Sequence, residues 1–259
     1  MKLAILGCGN LGTSIAEGLL LSNSNYSITA TRRNLTPLVG LASKGISITT
    51  NNIEAAQDAD VIILGFKPYT IHAALAEIKA ILNPEKQVLV SLASGVSLDE
   101  IDETLNVTIP VYRAMPNIAA EVQTSMTCIA SKRGTKEWDT AIQDIFNTIG
   151  ISELIEESLM NAATALGACG TAFVLRFMRA MTQAGIEIGF PAKTAEIIVE
   201  QTVMGAAKLM QDQDQHPEAL IDKVTTPKGC TIAGLNEMEH QGFSSALIKG
   251  ILTSYKAID

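Results

Sequence analysis

Gly7-Cys8-Gly9-Asn10-Leu11-Gly12 follows a short apolar run, residues 3–6, and opens a stretch, residues 11–21, that sets Ile15, Leu19 and neighbouring leucines on one helical face. The spacing is G-x-G-x-x-G in the context its mechanism requires, directly after a strand and at the start of a helix. The first glycine permits a tight turn, the second lets the backbone approach a pyrophosphate, and the third allows close packing of helix on strand. Free amides and the dipole at the helix start then hold the anion. An ordinary glycine turn would not need this flanking pattern.

Outward from this turn, residues 2–157 alternate short β-branched runs with helical patterns, the signature of βαβ units on a parallel sheet. Strands are expected at 3–6, 27–31, 46–49, 60–66, 87–92 and 108–114, with an extended segment at 151–155. Between them, helical spacing covers 70–82 and 136–148, and Ser97-Leu98-Asp99-Glu100 has the form of a capping box at a helix start. Beyond Ser158 the alternation stops, and Ala, Met, Leu, Gln, Glu and Lys dominate with no further strand pattern. Pro191 suits the first turn of a helix reaching about Met210. The expectation is an α/β fold, a Rossmann-type doubly wound sheet over 1–157 followed by an all-helical domain over 158–259. The small and apolar residues of the second domain leave stripes that need a partner, and a second subunit is the simplest one, giving a homodimer or higher homo-oligomer.

Composition narrows the function classes. With 259 residues, 47% hydrophobic and 18% charged, the chain has enough apolar surface for two cores. A formal net charge of −8 argues against a nucleic-acid partner, which would require a basic stripe. Every apolar run is interrupted before the roughly 20 residues a bilayer span requires, so no membrane partner is expected. The short run after Met1-Lys2 reads as a first strand rather than a secretory leader. Cys8, Cys128, Cys169 and Cys230 form no CxxC pair, and His72, His216 and His240 share no ligand spacing, so no protein-bound metal is expected and reduced thiols in the cytoplasm fit best.

At the end of the second expected strand, where an acidic residue would bond the ribose hydroxyls of NAD, the chain reads Thr31-Arg32-Arg33-Asn34. Guanidiniums make bidentate, charge-assisted bonds to phosphate oxygens, so this segment suits a 2′-phosphate. NADPH is the expected cofactor, with NADH used less well; the plainer reading of the arginines is a solvated pair at a helix start. Gly65-Phe66-Lys67-Pro68 closes the fourth expected strand at the carboxyl edge of the sheet, where its backbone would line the nicotinamide side. Position rather than residue type is the warrant for Lys67.

The chemistry is read partly from what is missing. No Tyr-x-x-x-Lys follows Tyr26, Tyr69, Tyr112 or Tyr255, and no histidine stands in a recognisable acid-base setting. Ketone reduction must protonate a developing alkoxide, whereas an iminium already carries its proton, so hydride delivery to C=N needs mainly orientation and electrostatics.

The glycine loop, Phe66-Lys67-Pro68, Ala93-Ser94-Gly95-Val96, Arg113-Ala114-Met115-Pro116-Asn117, Gln215-His216-Pro217 and Thr226-Pro227-Lys228-Gly229-Cys230-Thr231 occur in the order seen in pyrroline-5-carboxylate reductases, and the chain resembles that family over nearly its whole length. The resemblance implies NADPH-dependent reduction of 1-pyrroline-5-carboxylate to L-proline. It implies cofactor contacts from Gly7, Cys8, Gly9, Asn10, Leu11 and Gly12, from Thr31, Arg32 and Arg33 at the 2′-phosphate and Asn52 at the adenosine, and from Phe66, Lys67, Pro68, Ala93 and Gly95. Asp214, Lys223, Thr226, Gly229, Cys230 and Thr231 are implied at the substrate, with Thr231 as the catalytic residue bonding the ring nitrogen or carboxylate. The chain departs from the family pattern at Lys228, where a glycine is usual, at Gly167-Ala168-Cys169-Gly170-Thr171-Ala172-Phe173, at Ile118-Ala119 in place of Thr-Pro, and at Asp214 and Lys223. Two other readings stay open. The chain could be a β-hydroxyacid dehydrogenase or other imine reductase, since Gly167-x-x-Gly170-x-Ala172-x-x-x-Arg176 loosely resembles the former's helix, although arginine cannot cycle a proton as lysine does; and a dinucleotide fold also serves non-catalytic NADP-binding proteins.

Overall fold

The computed structural model describes residues 1–22 and 25–258. β1 (Lys2–Leu6) leads through the glycine turn into α1 (Asn10–Leu21) and back to β2 (Ser27–Thr31). α2 (Val39–Ala42), β3 (Ser47–Thr49), α3 (Asn52–Gln57), β4 (Val61–Leu64), α4 (Pro68–Ile78), β5 (Val88–Ser91), α5 (Leu98–Leu105) and β6 (Val111–Met115) continue the alternation. β7 (Ser125–Lys132), α6 (Lys136–Asn147) and β8 (Gly150–Leu154) complete the sheet. The strand order is β3-β2-β1-β4-β5-β6-β7-β8, parallel throughout except between β6 and β7. The chain reverses direction across the sheet between β1 and β4, which pair in parallel from Leu3↔Val61 to Leu6↔Leu64, and this is the switch point where such sheets bind ligands.

Both faces of the sheet are covered, so its central strands are apolar without alternation and β4 (VIIL) is buried along its whole length. One face packs Leu3, Ile5, Ile63 and Val90 against Ile15 and Leu19 of α1 and against Ile142, Ile145 and Phe146 of α6. The other packs Leu6, Ile62, Leu64 and Leu89 against Ile71, Leu75 and Ile78 of α4 and Ile101 and Leu105 of α5. Ser97 and Glu100 form the expected capping box: the Ser97 hydroxyl accepts from the Glu100 amide at 3.1 Å, while the Glu100 carboxylate accepts from the Ser97 amide at 2.8 Å.

β7 stands outside the expected strands. Its SMTCIASK sequence has little β-branched content, and it owes its extended state to pairing on both sides, with β6 and β8. The expected helix over 70–82 becomes α4 followed by a single 3₁₀ turn at Lys79–Ile81.

The remaining chain is helical: α7 (Met160–Ala163), a π-helical turn at Thr164–Ala168, α8 (Gly170–Glu187), α9 (Ala192–Gln213), α10 (Pro217–Val224), α11 (Cys230–His240) and α12 (Phe243–Lys256). Pro191 stands one place earlier than expected, as the residue preceding the first turn of α9. By its contacts the chain divides into two units, residues 1–171 with the last residues from Ser254, and residues 172–253. The break falls later than the expected junction at 157–158 because Met160 is fully buried in the core beneath α5 and because the Asn117 side chain donates to the Gly167 carbonyl at 3.2 Å.

Few residues of the second unit are buried, Thr182, Ala195 and Val199 among them, while Leu175, Ile186, Ile188, Ile197, Met204 and Leu252 are exposed. The helical run Glu157–Glu187 contains an 18-residue window of mean hydropathy 1.4, 17% of it buried, and so is long and apolar enough by length and composition alone to cross a membrane, a test that helices of soluble proteins also pass. The π-helical turn carries the backbone through Gly167 rather than ending the helix there, so the apolar runs that Asn161, Gly167 and Gly170 interrupt in sequence lie along one continuous helical stretch.

Candidate active site

The glycine turn is built by β1 and β2 together. Gly7 has φ +72°, a left-handed conformation that side chains disfavour, and a Cβ there would lie 2.7 Å from the Phe66 ring. The Gly7 amide donates to the Thr31 hydroxyl at 3.1 Å, and the Cys8 amide donates to the Thr31 carbonyl at 2.7 Å. A Cβ on Gly12 would press on Ile5 and Cys8 at 3.2 and 3.3 Å, which is the close helix-to-strand approach the third glycine allows. A Cβ on Gly9 meets nothing nearer than the Gly7 carbonyl at 3.9 Å, so the turn faces open space there. Gly9 also has no side chain to cap α1, which leaves the amides of Asn10, Leu11 and Gly12 directed outward for an anion.

This turn borders a cleft of about 540 Å³ at the carboxyl ends of the strands, lined also by Gly65, Phe66, Lys67 and Pro68 after β4, by Leu92, Ala93 and Ser94 after β5, and by Met115 at the end of β6 with Pro116, Asn117 and Ile118 after it. Lys67 is exposed and caps α4 by backbone alone, with Pro68 in the first helical position. Ala93 is buried with its amide on the Ser91 hydroxyl at 3.2 Å, and Gly95, φ +73°, forms the turn just behind it. Thr164 and Ala168 of the π-helical turn line the cleft too. Sequence periodicity gave no sign of them, because a π turn is one residue of excess inside an otherwise helical pattern.

The end of β2 is tied to the glycine turn. Thr31 is 1% exposed, and its hydroxyl donates to the Asn52 side-chain oxygen at 2.6 Å while accepting from Gly7. Through these two bonds the Thr31 hydroxyl braces the turn. Asn52 is likewise engaged, its amide donating to Glu77 at 2.8 Å. Next to Thr31, Arg32 is partly buried with Nη1 reaching the Cys8 carbonyl at 3.4 Å, and Arg33 is exposed. The Cys8 side chain is fully buried, and burial pushes its thiol up.

The residues read for the substrate lie in the second unit. Asp214 ends α9 at φ +45°, and Lys223 on α10 donates to Gln215 at 2.6 Å and Gln213 at 3.1 Å, tying the α9–α10 turn on both sides of Asp214. Thr226, Gly229, Cys230 and Thr231 form one compact turn: the Gly229 amide donates to the Thr226 carbonyl at 2.9 Å, and a Cβ on Gly229 would lie 2.5 Å from the Thr226 hydroxyl. Gly229 precedes α11 without any side-chain cap, and Cys230 and Thr231 are its first two residues, both exposed. Lys228 has φ +60°. Lys228→Gly is expected to raise the unfolding free energy by about 1 kcal/mol, the cost of a left-handed side-chain residue, as measured by urea denaturation. An unchanged midpoint would mean the turn relaxes around the lysine without strain. Among the described residues no group of three or more His, Cys, Asp or Glu side chains converges on a metal site.

The doubly wound sheet, its glycine turn at the switch point and the cleft beside it define the Rossmann class of dinucleotide-binding oxidoreductases. Residues 2–95 match the family model described as NADP oxidoreductase, coenzyme F420-dependent, and residues 157–259 match pyrroline-5-carboxylate reductase dimerisation. Pyrroline-5-carboxylate reductase 2 of Dictyostelium discoideum is 43% identical over 98% of this chain and 90% of its own length, and the chain belongs to the pyrroline-5-carboxylate reductase family. Pyrroline-5-carboxylate reductase 1 of the same organism is 44% identical over 97% of this chain, which spans 48% of that relative's length. The crystal structure of Plasmodium falciparum pyrroline carboxylate reductase with NADP bound superposes with a TM-score of 0.88 at 24% identity, covering 99% of this chain and 96% of that one.

Proposed function

We propose that the chain reduces 1-pyrroline-5-carboxylate to L-proline with NADPH, NADH serving less well, and that it works as a homodimer or higher homo-oligomer in the cytoplasm. The observation that carries this reading is the uncapped glycine turn, open at Gly9 and flanked by Arg32, in a chain 43% identical to a named reductase of this imine. In this reading residues 1–157 bind the cofactor and residues 158–259 supply dimer contacts and the substrate turn. The exposed apolar helices of the second unit and the dimerisation family match support a second copy as their cover, and four free cysteines suit a reducing compartment. The relatives do not favour a β-hydroxyacid dehydrogenase or a non-catalytic NADP-binding protein.

Bound NADPH supplies the hydride. The amides of Asn10, Leu11 and Gly12 hold the pyrophosphate, Arg32 and Arg33 take the 2′-phosphate, and Phe66, Lys67, Pro68, Ala93 and Gly95 shape the nicotinamide side. The amides opening α11, with Thr226, Gly229 and Cys230, grip the imine carboxylate, while the Thr231 hydroxyl fixes the ring nitrogen; Asp214 and Lys223 hold the neighbouring turn in place. As the imine carbon gains hydride, the C=N π pair collapses onto a nitrogen that already bears its proton, so no separate acid is required.

Arg32→Ala is expected to raise KM for NADPH roughly ten- to hundredfold, the equivalent of one charge-assisted contact of about 1.5–3 kcal/mol, with little change for NADH. Equal effects on both cofactors would remove the 2′-phosphate assignment. Thr231→Ala is expected to lower kcat/KM for the imine by roughly the same factor, through a lost bond to a charged group. A value within twofold of wild type would show that Thr231 does not hold the substrate. Steady-state assays against a panel of cyclic imines and 3-hydroxy acids test the reaction class, and tight NADPH binding with no turnover of any imine would overturn it.

A further inference from the structure

Ile118 is a large apolar side chain left 49% exposed at the cleft, on a turn built to keep it there. It begins the 3₁₀ turn Ile118–Val122, whose start is capped by Asn117 accepting from the Ala119 amide at 3.0 Å. The turn is pinned to α1 from three directions. Glu121 accepts from Ser14 of α1 at 3.1 Å, Gln123 donates to the carbonyls of Gly18 and Thr148, each at 3.2 Å, and a Cβ on Gly18 would collide with the Ala120 carbonyl. Asn117 also holds the π-helical turn through Gly167 and receives no freedom from its own backbone, whose amide donates to Ser125 at 3.0 Å. The turn fixes Ile118 at the cleft by its polar contacts, and apolar side chains make up most of the lining of a ligand cleft.

Topology says which part of a ligand it meets. The glycine turn lies at the β1–β4 switch point and Arg32 lies on the β2 side, so the adenosine half of a dinucleotide belongs there and the reacting half belongs over β4, β5 and β6. Ile118 follows β6, beside Met115 and Pro116. We propose that Ile118 is a specificity-determining residue that packs on the methylene edge of the cyclic imine and sets the ring size the enzyme accepts. This rests on the proposed reaction at this cleft. A one-methylene difference against an apolar wall is worth about tenfold or more in kcat/KM, and the wall that imposes it is the place where it can be relaxed.

The test compares 1-pyrroline-5-carboxylate with its six-membered homologue, 1-piperideine-6-carboxylate, using wild type, Ile118→Ala and Ile118→Val. The ratio of kcat/KM for the larger ring over the smaller should rise at least fivefold in Ile118→Ala and by a smaller factor in Ile118→Val, with KM for NADPH within twofold of wild type and the oligomer intact by size-exclusion chromatography. A ratio unchanged within twofold overturns the proposal, whether the substitution instead weakens NADPH, placing Ile118 on the nicotinamide, or dissociates the oligomer, placing it against another subunit. Absence of imine turnover by wild type would be a failure of the proposed reaction itself, which separates the two.

Discussion

Glu157→Ala is expected to lower the unfolding free energy by about 3 kcal/mol, the lower end of the range for breaking a buried ion pair. The reason lies in what is left behind. Arg113 on β6 is 4% exposed, and its side chain donates to the Glu157 carboxylate at 3.0 Å; Glu100 supplies a second, non-bonded negative charge, and Nε and Nη2 make no hydrogen bond. The same carboxylate oxygen accepts from the Leu98 amide at 2.6 Å, so it also completes the start of α5. Removing it strands a guanidinium under the sheet and a helix amide together. Glu157 itself is one-third exposed, which lets water reach the gap and keeps the loss from the upper end of the range. Urea unfolding followed by the fluorescence of Trp138, the single tryptophan, measures it. Glu157→Gln, which keeps a hydrogen-bonding oxygen, should lose about half as much. A loss below about 1 kcal/mol for the alanine variant would mean that Arg113 is already satisfied without its partner.

Gly7→Ala is expected to weaken NADPH binding by more than tenfold. The substitution places a methyl group at φ +72°, where a side-chain residue costs about 1–2 kcal/mol, and within 2.7 Å of the Phe66 ring, which must then move. Phe66 lines the cleft, so the displacement occurs at the surface that the cofactor is proposed to cover. Isothermal titration with NADPH reads the loss, and circular dichroism confirms that the sheet survives. Binding within threefold of wild type would show that the turn adapts and that its geometry does not govern the cofactor.

The parts of this architecture set by neighbours in sequence were legible from it. The strand-turn-helix at Gly7, the strand at Ser27–Thr31 and the Ser97–Glu100 cap depend on residues within a few positions of one another, and they form where local pattern puts them. β7 was not legible, because its strand state comes from pairing with β6 and β8 rather than from its own residues. Thr31 shows the same limit at the scale of one side chain. Its position at the end of β2 was readable, but the direction of its hydroxyl is decided by Asn52, 21 residues away, and by the Gly7 amide. The bend that brings Thr164 and Ala168 to the cleft, and the pinned turn that presents Ile118, are likewise tertiary facts. In the second unit the turn over residues 226–231 was legible only through the family resemblance, and the left-handed backbone at Lys228 was not, since lysine does not advertise it.

The most direct measurement uses NADPH carrying two deuterium atoms at nicotinamide C4, incubated with the chain and 1-pyrroline-5-carboxylate, and locates the label in the product by mass spectrometry and NMR. Proline bearing one deuterium, on the former imine carbon, is the predicted result. Cofactor oxidation without labelled proline, or tight NADPH binding with no oxidation at all, would contradict the account.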